Sequence, residues 1–438
     1  MSIKVAKFGG SSVADAQQFR KVQNIILEDA SRRYVIPSAP GKRHAQDNKI
    51  TDLLYLCHAH VQHSVPFDEL FKIITERYLG IVEELNLSLD LRPYLEEIKQ
   101  KISQGISVDY VASRGEYLNA IILSHLLGFE FVDASEIIIF NRYGSLDVEK
   151  TREMVGQRLA QHEKAVIPGF YGATADGKIK TFSRGGSDIT GSIIARALNA
   201  EVYENWTDVS GFLMADPRVV ENPKPIEKIT YHELRELSYM GATVLHEEAV
   251  FPVREAGIPI NVRNTNEPKH PGTIIVSDKK TDIRPGTITG IAGRKDFTVI
   301  AIQKNRMKAD ISFVRKLLSI MEMNNVPIEH MPSGIDNVSI VIADTKLDNQ
   351  LDRIVKEIEE QCKPDSIDVY PNMALVATVG HGMAYTPGIA AKLFTALAQA
   401  NVNIRMIDQG SSEINIITGI ETNDFEKAVC AIYNAFVE

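Results

Sequence analysis

The chain has 438 residues, 44% hydrophobic and 24% charged, with 57 acidic against 48 basic side chains and a formal net charge of −9. That length allows two to four domains, each with a core of its own, and excludes one small domain. The acidic balance without a long basic cluster gives a nucleic-acid role little electrostatic support, and no run approaches the roughly 18 apolar residues of a membrane span.

The start, Met1-Ser2-Ile3-Lys4-Val5, enters a strand-like run without the basic and apolar segments of an export signal. Cys57, Cys362 and Cys430 are far apart and lack CxxC spacing, which suits a reducing, cytoplasmic compartment. Over the first three hundred residues, short β-branched runs alternate with amphipathic stretches. This pattern predicts an α/β fold, an αβα sandwich around a mostly parallel central sheet. The strands expected in it are Ile3 to Phe8, Tyr34 to Pro37, Phe129 to Val132, Ala165 to Gly169, Glu201 to Trp206 and Ile258 to Val262. Between about 51 and 107 the pattern is helical, an excursion from the sheet.

After Pro285 the pattern changes to strand (Phe297 to Ile302), helix (Ile311 to Met323) and strand (Val338 to Ala343), and then repeats. An offset of 76 residues carries Lys316-Leu317 onto Lys392-Leu393, Asn325-Val326-Pro327-Ile328 onto Asn401-Val402-Asn403-Ile404, and Val338 to Val341 onto Ile414 to Ile417. Two ferredoxin-like βαββαβ units follow from this repeat. The expected domains are 1–284, 285–371 and 372–438.

Several segments carry candidate chemistry. Lys7-Phe8-Gly9-Gly10-Ser11-Ser12 leads from the first strand into a helix expected at about Ala14 to Ala30, so backbone amides can approach an anion there while Lys7 adds a point charge. A capped turn with a snorkelling lysine is the plainer alternative. Ser183-Arg184-Gly185-Gly186-Ser187-Asp188 repeats the arrangement. Arg184 supplies a fork suited to a carboxylate, and Asp188 is placed to cap, to organise Mg2+ or to position Lys7. Thr207-Asp208-Val209-Ser210-Gly211 and Asp216-Pro217-Arg218 follow another strand end and could grip a nucleotide, although Thr-Asp-x-x-Gly is often only a turn. Glu116, read as starting the helix Tyr117 to Leu127, could hold an ammonium or could simply be a first-turn acid. Ser38, in the loop after the second strand, and Thr51-Asp52 beyond it, belong to a segment able to close over a ligand. No HExxH, GxSxG or metal-ligand cluster is present, so hydrolase chemistry and a protein metal site lack support.

Lys7 to Val13, Ser183 to Asp188, Thr207 to Gly211, Asp216 to Arg218 and Met240 to His246 resemble, in this order, the motifs of the aspartate kinases of the amino-acid kinase family. The C-terminal repeats resemble their paired ACT domains. The resemblance implies an amino-acid kinase fold and Mg-ATP-dependent phosphorylation of the L-aspartate side-chain carboxylate. It gives Lys7 and Asp188 catalytic roles and sets Gly9, Gly10, Ser11, Ser38, Thr207, Asp208 and Arg218 against ATP. Thr51, Glu116 and Arg184 would hold aspartate. Thr243 stands where the family commonly has Lys, and His246-Glu247 replaces a His-Pro.

The long helical excursion resembles single-chain, lysine-responsive members, which implies lysine as effector at Met307, Asp310, Phe313 and Val314 and a homodimer or larger assembly through the ACT units. The rivals are a kinase for glutamate, acetylglutamate or a nucleoside monophosphate, and a non-catalytic amino-acid sensor. A fused homoserine dehydrogenase is not expected, because no dinucleotide fingerprint is present.

Overall fold

The computed structural model describes residues 2–183, 185–241, 245, 247–278, 287–307, 310–384 and 386–437. The chain divides into two compact units: Met1–Phe212 with Glu227–Tyr231 and Val244–Thr281, and Leu213–Ile226 with His232–Thr243 and Asp282–Glu438.

The first unit is built on an eight-stranded sheet in the order Lys228–Thr230, Thr273–Val276, Ile260–Asn264, Val202–Thr207, Lys4–Phe8, Arg32–Pro37, Ala165–Val166 and Glu130–Phe131. All neighbouring pairs are parallel except Ile260–Asn264 with Thr273–Val276. Val5, Ala6 and Phe8 of the central strand are fully buried, as a parallel strand covered on both faces requires. Phe8 stacks on Trp206 of the next strand with ring centroids 5.9 Å apart. The turn after the first strand feeds helix Ala16–Glu28, whose N-terminus is capped by Asp15 accepting from Gln18 N, and whose Phe19, Val22, Ile25 and Ile26 are buried.

The excursion is three helices, Ile50–Gln62, Asp68–Glu84 and Arg92–Ser103. The helix that follows starts earlier than its sequence pattern indicates. It runs Val108–Leu127, capped by Ser107 and closed by Gly128 in the left-handed conformation at φ 66°. Glu116 therefore lies in mid-helix and is buried, not in a first turn. The amphipathic stripe that would have announced this start is absent because the helix is buried nearly all round, Ser113 and Asn119 included. A further three-stranded sheet, Ile139–Phe140, Tyr171–Thr174 and Ile179–Thr181, is largely too short to show as an alternating pattern.

In the second unit, one antiparallel five-stranded sheet has the order Asn337–Ala343, Gly290–Gln303, Ser366–Val379, Asn415–Glu421, Met406–Asp408. Two of these strands are 14 residues long, and each serves both repeats. Phe297–Gln303 pairs with Asn337–Ala343 and with Ser366–Tyr370, around helices Ile311–Met323 and Leu351–Cys362. Met373–Val379 pairs with Asn415–Glu421 on one side and Gly290–Arg294 on the other, with helices Ile389–Gln399 and Phe425–Val437. The last strand of the second repeat thus comes from before the first repeat, which is inserted into it. The 76-residue offset holds through the cores, since Leu317 and Leu393 are both fully buried, and the pairs Ile340 with Ile416 and Val326 with Val402 are buried as well.

Candidate active site

Strand order places three chain segments side by side at the carboxyl ends of central strands. Gly9 follows the first strand, Ser38 the second, and Asp208 the strand Val202–Thr207, the edge where α/β sheets hold ligands. Lys7 pairs in register with Asn205 of the neighbouring parallel strand, so both side chains emerge on one face. They meet the same atom: Lys7 Nζ is 2.6 Å from Asp188 Oδ1, and Asn205 Nδ2 donates to that oxygen at 2.7 Å. Asp188 lies in the first turn of helix Gly186–Ala197, and its backbone carbonyl accepts from the Tyr203 hydroxyl at 3.1 Å. Lys7 is 7% exposed, so its charge is held by a fixed carboxylate inside the fold and not by water.

The two glycine-pair turns are alike in sequence but need glycine for different reasons. At the first, a Cβ on Gly10 would come 3.0 Å from Ala39 O, and one on Gly41 would come 2.6 Å from Gly10 C. Backbone presses on backbone there, joined by Gly41 N donating to Gly10 O at 2.8 Å. At the second, Gly185 is left-handed at φ 58°, and a Cβ on Gly186 would meet the Phe170 ring at 2.4 Å.

A cavity of about 430 Å³ opens beside the first turn, lined on one side by Gly10 and Ser11, on another by Ser38 to Lys42, and beyond by Lys49, Thr51, Glu116 and Asp208. Glu116 is 4% exposed, and its Oε2 has no hydrogen-bond partner. Burial, against the opposing pull of the Ala39 N–H and the Arg114 charge, pushes its carboxyl up to about 8. A buried carboxyl group on a cavity wall with one oxygen lacking a partner is a strong acceptor for a ligand cation. Asn119, one turn further along the helix, donates to Ser38 O at 2.7 Å and fastens the loop that forms the second wall.

The other candidates are placed as follows. Thr51 lies in the first turn of helix Ile50–Gln62, on the cavity wall. Thr207 donates to Asp208 Oδ1 at 3.1 Å, and Asp208 is exposed on the rim. Arg218 falls in the second unit, exposed and paired with Asp216 at 2.6 Å. Arg184, Thr243 and His246 lie outside the described residues. Of the effector candidates, Met307 and Phe313 are buried in a core with Leu317, Ile320 and Ile342, and Val314 packs against it. Asp310 caps helix Ile311–Met323 by accepting from Ser312 N at 3.1 Å and Ser312 Oγ at 2.7 Å. Asn205 and Asn119 escaped the sequence reading, because amides in a strand and in a buried helix carry no motif.

A family model described as the amino acid kinase family matches residues 2–264, and an ACT domain model matches 376–436. The chain belongs to the amino acid kinase family. Its full-length similarity is to aspartokinases. The crystal structure of Clostridium acetobutylicum aspartate kinase superposes with a TM-score of 0.94 at 62% identity, covering all of both chains. Aspartokinase 3 of Bacillus subtilis is 40% identical over 99% of this chain and 98% of its own. Escherichia coli aspartokinase III, in complex with lysine and aspartate, has a TM-score of 0.76 at 26% identity over all of both chains; its complex with aspartate and ADP has 0.71 at 25%. This member of the amino acid kinase family is accordingly a kinase of the aspartokinase type, with ACT regulation and nucleotide use. Among the described residues, no helix is long and apolar enough to cross a membrane.

Proposed function

We propose that the cavity beside Gly10 holds ATP phosphates and L-aspartate together, and that the enzyme transfers the γ-phosphoryl group to the side-chain carboxylate. The observation that carries this is the buried Glu116, with its Oε2 lacking a partner, on the cavity that the Gly10–Ser11 turn also lines. One wall suits phosphate oxygens, and the other suits the ammonium of a free amino acid. The E. coli structures with aspartate and ADP support the same pairing of ligands.

In this reading Gly9, Gly10 and Ser11 approach the phosphates, with Ser38 on the facing loop and Thr207, Asp208 and Arg218 on the nucleotide side. Thr51, Glu116 and Arg184 hold aspartate. The ionised aspartate carboxylate attacks the γ-phosphorus in line as the bond to the ADP oxygen breaks, giving 4-phospho-L-aspartate and ADP. No protein base is needed, because the nucleophile is already deprotonated at neutral pH. Catalysis is positioning and charge neutralisation. Lys7, oriented by Asp188 and Asn205, supplies a buried cation, which is worth more there than in water. The exposed Asp208 carboxylate on the rim is an oxygen donor suited to a hydrated Mg2+, which would supply charge neutralisation at the phosphates when bound.

The product would feed lysine, threonine and methionine formation, with lysine as feedback effector at Met307, Asp310, Phe313 and Val314. The lysine complex of the E. coli enzyme supports that choice. A homo-oligomer paired through the ACT units fits their exposed sheet edges, and a cytoplasmic location fits three free cysteines. A coupled ADP-release assay across aspartate, glutamate, acetylglutamate and UMP, repeated with lysine, threonine and methionine, tests the whole reading. Turnover only with aspartate and inhibition by lysine are expected. Aspartate-independent turnover overturns the substrate, and indifference to all three amino acids overturns the regulation.

A further inference from the structure

The loop after the second strand, which composition alone suggests is free to close, is tied down by a buried ion pair. Asp47 is 8% exposed and accepts two hydrogen bonds from Arg77 Nη2, at 2.6 and 2.7 Å. It accepts three more from Arg43, from the backbone N at 2.9 Å, Nε at 2.9 Å and Nη2 at 3.1 Å. These bonds, those of the Arg43 side chain first, hold the Asp47 carboxyl well below the usual carboxylate range.

Arg77 comes from the excursion helix Asp68–Glu84, and its side chain is 4% exposed. Its second terminal nitrogen, Nη1, lies 3.3 Å from Gly41 O and 3.4 Å from Ala14 O. Those carbonyls belong to different walls of the cavity. Gly41 is part of the Ser38–Lys42 wall, and Ala14 ends the short helix Gly10–Val13 that begins with the Gly10–Ser11 wall. One planar guanidinium therefore reaches both walls from behind, where the walls already touch through Gly41 N and Gly10 O. Only arginine has the donor fork for this, since a lysine would satisfy the carboxylate or the carbonyls but not both.

A buried ion pair is a poor way to gain stability, because apolar side chains of similar volume are often as stable or more so. Its placement behind the joint between two ligand-facing walls suggests a geometric use instead. We propose that the Asp47–Arg77 pair is a positioning device for phosphoryl transfer, setting the spacing between the phosphate-side turn and the loop that faces it. Neither residue touches substrate. The pair fixes the separation of donor and acceptor, and a misplacement of about 1 Å in such a site costs on the order of a hundredfold in rate. The helical excursion then has a task in the catalytic unit: it delivers Arg77.

This inference rests on the cavity being the shared site for ATP and aspartate, so Lys7→Ala is measured alongside. The decisive protein is the full chain carrying Asp47→Asn with Arg77→Met, which removes both charges together and leaves neither uncompensated. Each variant is assayed at a temperature where its circular dichroism shows it fully folded. The expected result is a fall in kcat of about a hundredfold, with the aspartate KM close to that of the parent. Arg77→Lys keeps the charge but loses the carbonyl contacts, and a fall of about tenfold in kcat at unchanged Tm is expected. It decides the matter if the double variant does not fold. Unchanged kcat in the folded double variant, or in Arg77→Lys when the double variant does not fold, overturns the positioning role. Normal turnover by Lys7→Ala overturns the site reading beneath it.

Discussion

The cavity beside Gly10 and the helix start at Asp310 are built in opposite ways. Around the cavity, Glu116 and the nearby Asn119 are buried polar groups, and the walls meet through backbone contacts that tolerate no side chain, as at Gly10 and Gly41. Around Asp310 the apolar residues are the buried ones: Met307 and Phe313 belong to the core of the first repeat, while the carboxylate caps its helix. The first arrangement is preformed. A ligand that used Met307 and Phe313 in the second would have to draw on side chains already committed to packing, and close-packed cores respond to that by shifting as a whole. A preformed site suits catalysis, and a site sharing its lining with a core suits regulation.

The sharpest way to break this contrast is Lys7→Ala. Removing a preorganised charge should lower kcat about a thousandfold in steady-state kinetics, with the thermal transition nearly unmoved; a small effect would mean that the cavity is not where phosphoryl transfer occurs. Phe313→Ala probes the other region. It should cost about 3–5 kcal/mol of stability in denaturant unfolding and abolish the effector response, while kcat without effector stays near that of the parent. If stability fell and the response survived, core and effector site would be separate.

Glu116→Gln comes next, with an aspartate KM raised about a hundredfold by loss of a buried charge partner and an ATP KM unchanged. Because the Glu116 carboxyl sits up near 8, the free enzyme carries it protonated at neutral pH. Ionised Glu116 is the form that attracts an ammonium, so the aspartate KM should fall about tenfold per unit as pH rises toward 8 and level off above it. Glu116→Gln should remove that slope. Stability runs the other way: the folded state keeps a proton that the unfolded chain has lost, so raising the pH from the ordinary glutamate range to about 8 destabilises the fold. The smallest effect is expected from Asp310→Ala, which should weaken inhibition by lysine severalfold and leave kcat alone, read from inhibition curves.

Much of the site was legible because its chemistry is local. Lys7 with its glycine turn, Asp188 near a helix start and the 76-residue repeat are patterns within a few residues or at one fixed offset. Glu116 could be singled out, but its setting was misread. The helix Val108–Leu127 is buried on nearly every side and shows no stripe, so its start and the depth of Glu116 were hidden. The loop composition of Ser38 to Arg43 indicates a segment able to close over a ligand. Nothing local reveals that Asp47 will meet Arg77, thirty residues away.

Alternating runs, turn residues and a periodic repeat determined, from the sequence by itself, an α/β layer followed by two related units, to which the motif resemblance added the kinase reading. Short-range backbone preference and hydrophobic period act within a single element, and they can be read there. The tertiary structure alone decided that Lys7 and Asn205 share one carboxylate, that Glu116 lines the cavity with one oxygen lacking a partner, and that the first repeat lies inside the second. Each of these depends on strand order or on contacts between residues far apart in the chain, and the free energy of such contacts comes from burial and pairing that exist only once the layers have closed.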